Sequence, residues 1–360
     1  MEVRLEGTGG PDGWPAPGCP CASCGRLAPG HRRPFSVVVD GRVRLTDGRP
    51  PHGYRIRRTA DGCELTGPDG GRLLCAVGPS AGARDEDGPF DVVLMDLPDR
   101  PERLGDLRRR RRVTPATRII AVRLDHRVTT EDELARRLGF WGATAVPDGT
   151  VVDTAGTANA AGTASAEAAL GVRRGGALPR RTLLLGGSRS GKSEEAELRL
   201  AAEPEVTYVA TGPSGGDDPA WLARVRAHRE RRPAHWRTVE TTDLVAVLSA
   251  VSGTFLVDGI GTWLAAVFDE CAAWPDGTPA DDRRSALDRV ARRCDALVAA
   301  WRGTRARVVA VSDEVGLGVI PATPAGRLFR DALGRLNQGL ARESEDVALV
   351  IAGRVVPLPP

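Results

Sequence analysis

Gly186-Gly187-Ser188-Arg189-Ser190-Gly191-Lys192-Ser193, directly behind the apolar run Thr182-Leu183-Leu184-Leu185, decides the fold of the second half of this chain. The spelling is Gly-x-x-x-x-Gly-Lys-Ser, a phosphate-binding loop between a buried strand and a helix. Its glycines let the backbone curl until successive N–H groups point at phosphate oxygens. The helix opening at Lys192-Ser193-Glu194-Glu195-Ala196 adds the positive end of its dipole. The motif puts Lys192 on the β- and γ-phosphates and the Ser193 hydroxyl on Mg2+. Composition agrees: of 50 Lys and Arg residues, Lys192 is the only lysine. A sequence so biased towards arginine has kept a compact ammonium at the one position that wants it.

Outward from this loop, apolar strands alternate with helical patterns from Arg180 onward. Thr182–Leu185, Val206–Ala210, Thr254–Val257, Arg307–Val311 and Val347–Ile351 read as strands. Helices are expected near Lys192–Ala202, Trp221–Arg231, Leu244–Val251, Arg283–Trp301 and Ala325–Arg342. Such alternation implies an α/β domain with a mostly parallel sheet, whose ligands sit at the carboxyl ends of the strands. That rule nominates the loop 186–193, Thr211 and Gly212, Asp258, and Ser312-Asp313-Glu314.

Asp258, behind Phe255-Leu256-Val257, fits the acidic residue that holds Mg2+ at the end of a buried strand; a helix cap or loop aspartate is the alternative. Thr238-Val239-Glu240-Thr241 fits a capping arrangement as well as a site residue. The stretch 223–237 carries His228 and His235, two of the five histidines, among several arginines. A histidine on a polar helix is by default a surface residue. An imidazole among arginines can also attack phosphorus while its neighbours hold the phosphate charge.

Residues 1–150 are rich in Gly, Pro, Asp and Arg, with short apolar runs. Val37–Val39, Leu73–Val77, Asp91–Met95 and Ile119–Val122 read as strands and Glu131–Leu138 as a short helix. Residues 151–179 are Ala/Gly/Thr-rich, the composition of a flexible linker. At 360 residues two domains are expected. A net charge of +3 is too small to argue for nucleic acid or an anionic membrane. The run Arg108-Arg109-Arg110-Arg111-Arg112 reads as a solvated basic turn or helix end, with polyanion binding as the alternative.

Seven cysteines in this length do not make a secreted disulfide framework. With no apolar stretch near about 18 residues and no signal-like start, a cytoplasmic, reducing setting is expected. Cys19, Cys21 and Cys24 offer three thiolates at the tight spacing of a structural zinc site, against free cysteines in a loop. The fourth ligand has no signature in the sequence.

Several separated motifs then share one order: Gly186–Ser193; Tyr208-Val209-Ala210-Thr211; Arg224-x-x-x-His228 with Arg232-Pro233-Ala234-His235-Trp236; Val257-Asp258; Glu314-Val315-Gly316-Leu317-Gly318-Val319-Ile320-Pro321; and Phe329-Arg330-Asp331-x-x-Gly334-Arg335-Leu336-Asn337-Gln338. Together residues 180–360 resemble the bifunctional adenosylcobinamide kinase/adenosylcobinamide-phosphate guanylyltransferase family. The resemblance implies a RecA-like P-loop fold and assembly of the cobalamin nucleotide loop, with ATP, GTP, adenosylcobinamide and its phosphate as partners, Mg2+ as cofactor, and a trimer. It implies that Gly186, Gly187, Ser188, Arg189, Ser190, Gly191, Lys192 and Ser193 hold the triphosphate and that Ala210, Thr211 and Gly212 line the nucleotide site. His228 matches the residue that is guanylylated. Pro233, Ala234, His235, Trp236, Glu240 and Asp258 match further nucleotide or metal contacts. The family often has Asn or Thr where Ser312-Asp313 precedes Glu314, and Gly259-Ile260-Gly261 is unusually glycine-rich.

Leu5–Gly10 and Gly13-Trp14-Pro15-x-Pro17-Gly18-Cys19-x-Cys21-x-x-Cys24 resemble the opening of a metallo-β-lactamase-like phosphodiesterase domain. That fold relies on a His-x-His-x-Asp-His cluster. Only His31, His52 and His126 occur in the first 150 residues, each isolated, with Asp96 and Asp125-His126 as candidate remnants. The expectation is a smaller, α+β, catalytically inactive relative. Two other functions compete for the chain as a whole: a P-loop small-molecule kinase without guanylyl transfer, and a nucleotide-binding regulatory protein.

Overall fold

The computed structural model describes residues 1–45, 50–78, 88–155, 178–212, 226, 229–250, 252–275 and 280–359. The chain divides into two compact units, Met1–Gly176 with Ala201–Pro204, and Ala177–Leu200 with Glu205–Pro360.

In the first unit, β1 (Glu2–Gly7), β2 (Ser36–Val39), β3 (Val43–Arg44) and β10 (Val151–Asp153) form an antiparallel sheet in the order β10-β1-β2-β3. The second sheet runs β4 (Arg55–Thr59), β5 (Gly62–Thr66), β6 (Arg72–Ala76), β7 (Val92–Met95), β8 (Arg118–Ala121), β9 (Thr144–Ala145). It is antiparallel from β4 to β6 and parallel from β6 to β9. Val3, Leu5, Val37 and Val39 of one sheet share a core with Leu65, Leu73, Val92, Leu94 and Ile120 of the other. Because β10 pairs with β1 through Val3↔Val152, the first residues of the expected linker are strand. Residues 156–177 of that linker lie outside the described residues.

Helix α1 (Glu102–Arg109) ends inside the arginine run, as a helix end should; Arg109 and Arg111 are exposed as expected, but Arg108 and Arg110 are half-buried and Arg112 is buried. Arg112 is 1% exposed, 3.0 Å from Glu64, and lies over the Phe90 ring at 4.4 Å. Arg110 pairs with Asp61, and Arg108 donates to the Trp141 carbonyl. Three of the five guanidiniums are thus committed inside the unit, where burial without a partner would be prohibitive.

Helix α2 (Glu131–Trp141) starts where Thr130 accepts from the Glu133 N–H and stops where Gly142 takes a left-handed conformation. Its first residue is clamped: Arg32, 7% exposed, reaches both Glu131 carboxylate oxygens at 2.7 and 2.9 Å. Burial alone would raise the Glu131 carboxyl, but the Arg32 bonds and charge outweigh it and hold it below its ordinary value. A depressed carboxylate contributes stability above its unfolded pKa of about 4.3 and loses it as pH falls through the folded value. Urea unfolding between pH 6 and pH 3 should therefore show a shallower acid decline in Glu131→Gln than in the wild type. Equal declines would remove this pair from the acid sensitivity.

The second unit has a seven-stranded sheet in the order β13-β12-β14-β15-β11-β16-β17. The strands are β11 (Arg181–Gly186), β12 (Thr207–Ala210), β13 (Arg237–Glu240), β14 (Thr254–Asp258), β15 (Arg307–Asp313), β16 (Asp346–Ile351) and β17 (Arg354–Pro357). All neighbouring pairs are parallel except β16–β17. Strand side chains alternate between faces. Leu184, Tyr208, Leu256 and Val309 accordingly pack with Ala196 and Leu200 of α3 (Lys192–Leu200). Leu183, Leu185, Val209, Val257, Val308 and Ala310 face the larger core. There they meet α4 (Leu244–Leu248), α5 (Ile260–Glu270), α6 (Ala280–Gly303) and α7 (Pro324–Arg342). This is the expected α/β unit with a mostly parallel sheet. The expected helix 221–231 lies largely outside the described residues.

Candidate active site

Strand register brings the chemistry to one edge. Gly186 is level with Asp313 and Val350, while Ala210 is level with Asp258 and Glu240. The row Glu240, Ala210, Asp258, Asp313, Gly186 therefore lines the carboxyl ends of five strands, where ligands of parallel sheets bind.

The phosphate loop is stitched into this edge. Gly186 O accepts from the Glu314 N–H at 3.1 Å, and Ser190 O accepts from the Gly353 N–H at 2.8 Å. A Cβ at Gly186 would fall 2.5 Å from Ser190 Oγ and 2.7 Å from Val350 O, so this glycine is needed for clearance. Gly191 is needed for its backbone, with φ at +95°. Gly187, Ser188 and Arg189 are exposed at the loop's tip, and Ser190 is buried beneath it. The first-turn amides at Lys192 and Ser193 have no acceptor within the helix, which suits an anion.

Lys192 Nζ stands 2.9 Å from Asp313 Oδ1 and 3.2 Å from the Gly187 carbonyl. Ser193 Oγ is 3.4 Å from Asp258 Oδ1, and the other Asp258 oxygen accepts from Tyr208 OH at 2.7 Å. One hydroxyl and one carboxylate, both oxygen donors, thus converge beside the loop and fit a hard cation such as Mg2+. Burial, with the Asp258 charge, holds the Tyr208 phenol far above its ordinary value, so it stays a proton donor to Asp258. This orienting role of Tyr208 has no signature in the sequence.

The remaining nominees divide. Thr211 is fully buried; its hydroxyl lies 2.5 Å from Gly259 O and 2.7 Å from the Thr262 hydroxyl. Its side chain therefore fixes the loop after Asp258. Trp236, 9% exposed, packs in the core with Leu184, Tyr208 and Leu256. Pro233 to Trp236 forms a turn through Trp236 N–H to Pro233 O, with Ala234 exposed and His235 half-buried. Glu240 ends an edge strand, so the capping alternative is replaced; it pairs with Arg229 at 3.0 Å. Ala210 and Gly212 are half-buried at the end of β12. His228 lies outside the described residues. Its neighbours Arg231 and Arg232 are engaged, the first with Glu197 at 3.2 Å and the second over the Tyr208 ring at 3.7 Å. Burial raises the Glu197 carboxyl, while Arg231 works against that.

The glycine-rich stretch after Asp258 has a tertiary reason. Gly259 is extended and begins α5. A Cβ on Gly261 would lie 2.5 Å from Asp313 Oδ2.

In the first unit, Cys19, Cys21 and Cys24 are joined by His126, and the four ligand atoms all lie within 4.8 Å of one another. Cys19 Sγ and Cys24 Sγ are each 3.5 Å from His126 Nδ1. Tetrahedral zinc with bonds of about 2.3 Å to sulfur and 2.0–2.1 Å to nitrogen would separate S and N by about 3.5 Å, so this donor set fits zinc. Cys24 N–H also points at Cys21 Sγ, at 3.4 Å. Asp96 and Asp125, the two carboxylates nominated as remnants of a metal cluster, both bind Arg127, at 3.0 and 2.8 Å.

The family model described as cobinamide kinase / cobinamide phosphate guanyltransferase matches residues 182–358. Bifunctional adenosylcobalamin biosynthesis protein CobU of Salmonella typhimurium is 36% identical over 176 residues, covering 48% of this chain and 95% of that protein. The protein of the same description from Escherichia coli is 34% identical over 176 residues, with the same coverages. Bifunctional adenosylcobalamin biosynthesis protein CobP of Pseudomonas aeruginosa is 39% identical over 184 residues, covering 49% of this chain and 96% of that protein. A solved type III secretion ATPase aligns at 11% identity and a TM-score of 0.28, over 47% of this chain and 50% of its own, too slight a likeness to bear on the fold.

Proposed function

This chain belongs to the cobinamide kinase / cobinamide phosphate guanyltransferase family, and we propose that its second unit phosphorylates adenosylcobinamide with ATP or GTP and then adds GMP from GTP, giving adenosylcobinamide-GDP. The observation that carries this reading is the convergence of Lys192, Ser193 and Asp258 at the carboxyl edge of the sheet.

In the first reaction the loop amides and Lys192 hold the β- and γ-phosphates while the acceptor hydroxyl attacks the γ-phosphorus. The work is positioning and charge stabilisation. Ser193 and Asp258 would hold Mg2+, which supplies charge neutralisation when bound. In the second reaction an imidazole nitrogen of His228 attacks the α-phosphorus of GTP and pyrophosphate leaves. The acceptor phosphate then attacks that phosphorus and the N–P bond breaks. A covalent intermediate divides one hard displacement into two easier ones. The attack requires a neutral imidazole; of the arginines in the same stretch, Arg229 pairs with Glu240 and Arg231 with Glu197.

Purified chain with adenosylcobinamide, GTP and Mg2+ should yield first the phosphate, then adenosylcobinamide-GDP with release of pyrophosphate, resolved by chromatography. No corrinoid product would leave the regulatory alternative. Lys192→Ala should lower the phosphorylation rate by about 10²–10³-fold, the loss typical of one positioned transition-state donor. Lys192→Arg should recover little, since a planar fork does not replace a point charge. Wild-type rates in Lys192→Ala would count against the loop as the phosphate clamp.

For the first unit we propose a structural zinc on Cys19, Cys21, Cys24 and His126 in a catalytically inactive metallo-β-lactamase-like domain. The ligand distances support the zinc. Arg127 between Asp96 and Asp125 supports the loss of catalysis.

A further inference from the structure

Three arginines fasten the chain just behind His228, which lies outside the described residues and is bonded to Arg229. Arg229 pairs with Glu240 at 3.0 Å, but both side chains are more than half exposed, 57% and 52%, so that pair contributes little. Arg232 lies over the Tyr208 ring at 3.7 Å, and the Tyr208 hydroxyl donates to Asp258 at 2.7 Å. Arg231 reaches α3 and gives Glu197 two bonds, from Nε at 3.2 Å and from a terminal nitrogen at 3.4 Å. Glu197 follows Ser193 by four residues, which puts the two side chains one turn apart on the same face of α3. The Glu197 side chain is 10% exposed.

A carboxylate held that far from water is costly unless a cation meets it in good geometry, and Arg231 does so with a two-pronged bond. Packing alone gives no reason for an acid at this position; what the acid does is hold Arg231. Resting on the guanylyl-transfer reading above, we propose that Glu197 is a positioning residue for guanylylation of the chain, tying residues 229–232 to the phosphate-loop helix through Arg231. The loop amides and Lys192 fix the triphosphate relative to α3. The imidazole nitrogen must bond to the α-phosphorus opposite the departing pyrophosphate, so its segment must be fixed relative to the same helix. Glu197 takes no part in bond making and acts through Arg231.

The two reactions depend on this tie unequally. In phosphorylation the nucleophile arrives with the substrate. In guanylylation it is part of the chain and is placed only as well as its segment, and a displacement of about 1 Å can cost about 10²-fold. Because α3 serves both reactions, phosphorylation supplies the baseline, and the excess loss in guanylylation reads the tie.

The test uses the full chain with Glu197→Ala, Arg231→Ala and the double variant. The Arg231 side chain is 37% exposed, so its truncation spares the core. Formation of protein-bound GMP from α-labelled GTP and Mg2+ should slow about 10²-fold more than phosphorylation of adenosylcobinamide in each single variant. The double variant should lose no more than either single, because both substitutions break one tie. Glu197→Gln, which keeps the length and one acceptor oxygen, should recover part of the loss. An equal effect on the two reactions, or none, overturns the proposal, since the pair would then at most support the phosphate loop. Losses that multiply in the double variant also overturn it, because the two residues would then act apart. A wild type that phosphorylates adenosylcobinamide but never carries GMP would instead defeat the guanylyl-transfer reading on which this rests.

Discussion

Replacing His228 with alanine is expected to lower GMP transfer to adenosylcobinamide phosphate by on the order of 10⁴-fold or more, while phosphorylation of adenosylcobinamide continues. The two reactions share a phosphate loop but differ in nucleophile. Phosphorylation uses the substrate's hydroxyl, and guanylylation needs a group of the protein that can carry GMP. A phosphoramidate is the expected carrier, and it is labile in acid and stable in alkali. Wild-type chain incubated with α-labelled GTP and Mg2+ should acquire such a label, His235→Ala should keep it, and His228→Ala should lose it. His235 belongs to the turn 233–236 and is half-buried, which suits a structural side chain better than a nucleophile. A label that survives in His228→Ala but not in His235→Ala would reverse the assignment.

How legible the site was in the sequence depends on how local its signals are. The phosphate loop is a contiguous motif, and the rule that ligands sit at strand ends located Asp258 and Asp313 because their strands are apolar runs buried on both faces. The edge strand β13, Arg-Thr-Val-Glu, carries no such run because an edge strand packs on few neighbours, and Glu240 was accordingly ambiguous. Helix α5 was hidden by Gly259 and Gly261, which look like breakers. For Gly261 the reason is tertiary, the clearance around Asp313. In the first unit β1 alternates exposed and buried residues from Glu2 to Gly7, a signal that was present but overshadowed by the glycines that follow. The inward turn of the arginine run depends on Asp61 and Glu64, both distant in sequence from the run. His126 is 102 residues from Cys24, and no spacing rule reaches that far.

That same separation sets the size of the effect expected at the cysteine cluster. A cross-link closing a loop of about 100 residues restricts the unfolded chain by up to about 4.7 kcal/mol in the loop-entropy estimate. A four-ligand zinc joining Cys24 to His126, as proposed, would close a loop of that length. The unit also has its own two-sheet core, so it should be weakened by metal loss and not abolished in the manner of a zinc finger. Protein purified without chelator should contain about one zinc per chain by elemental analysis, the stoichiometry of one closed tetrahedral site. Cys24→Ser and His126→Ala should each lose it. Both variants should also lose about 3–5 kcal/mol of protection in native-state hydrogen exchange, confined to amides of the first unit. The loop 14–24 should respond most. Trp14 is fully buried there, donating to Ser23 Oγ at 3.2 Å, and Ser23 in turn donates to Val128 O at 2.7 Å, two residues past His126. These bonds already fasten the cysteine loop to the histidine loop without metal. If they alone suffice, the variants will exchange like wild type and the purified chain will carry no zinc, and the four side chains would then be no more than a packed cluster of thiols around an imidazole.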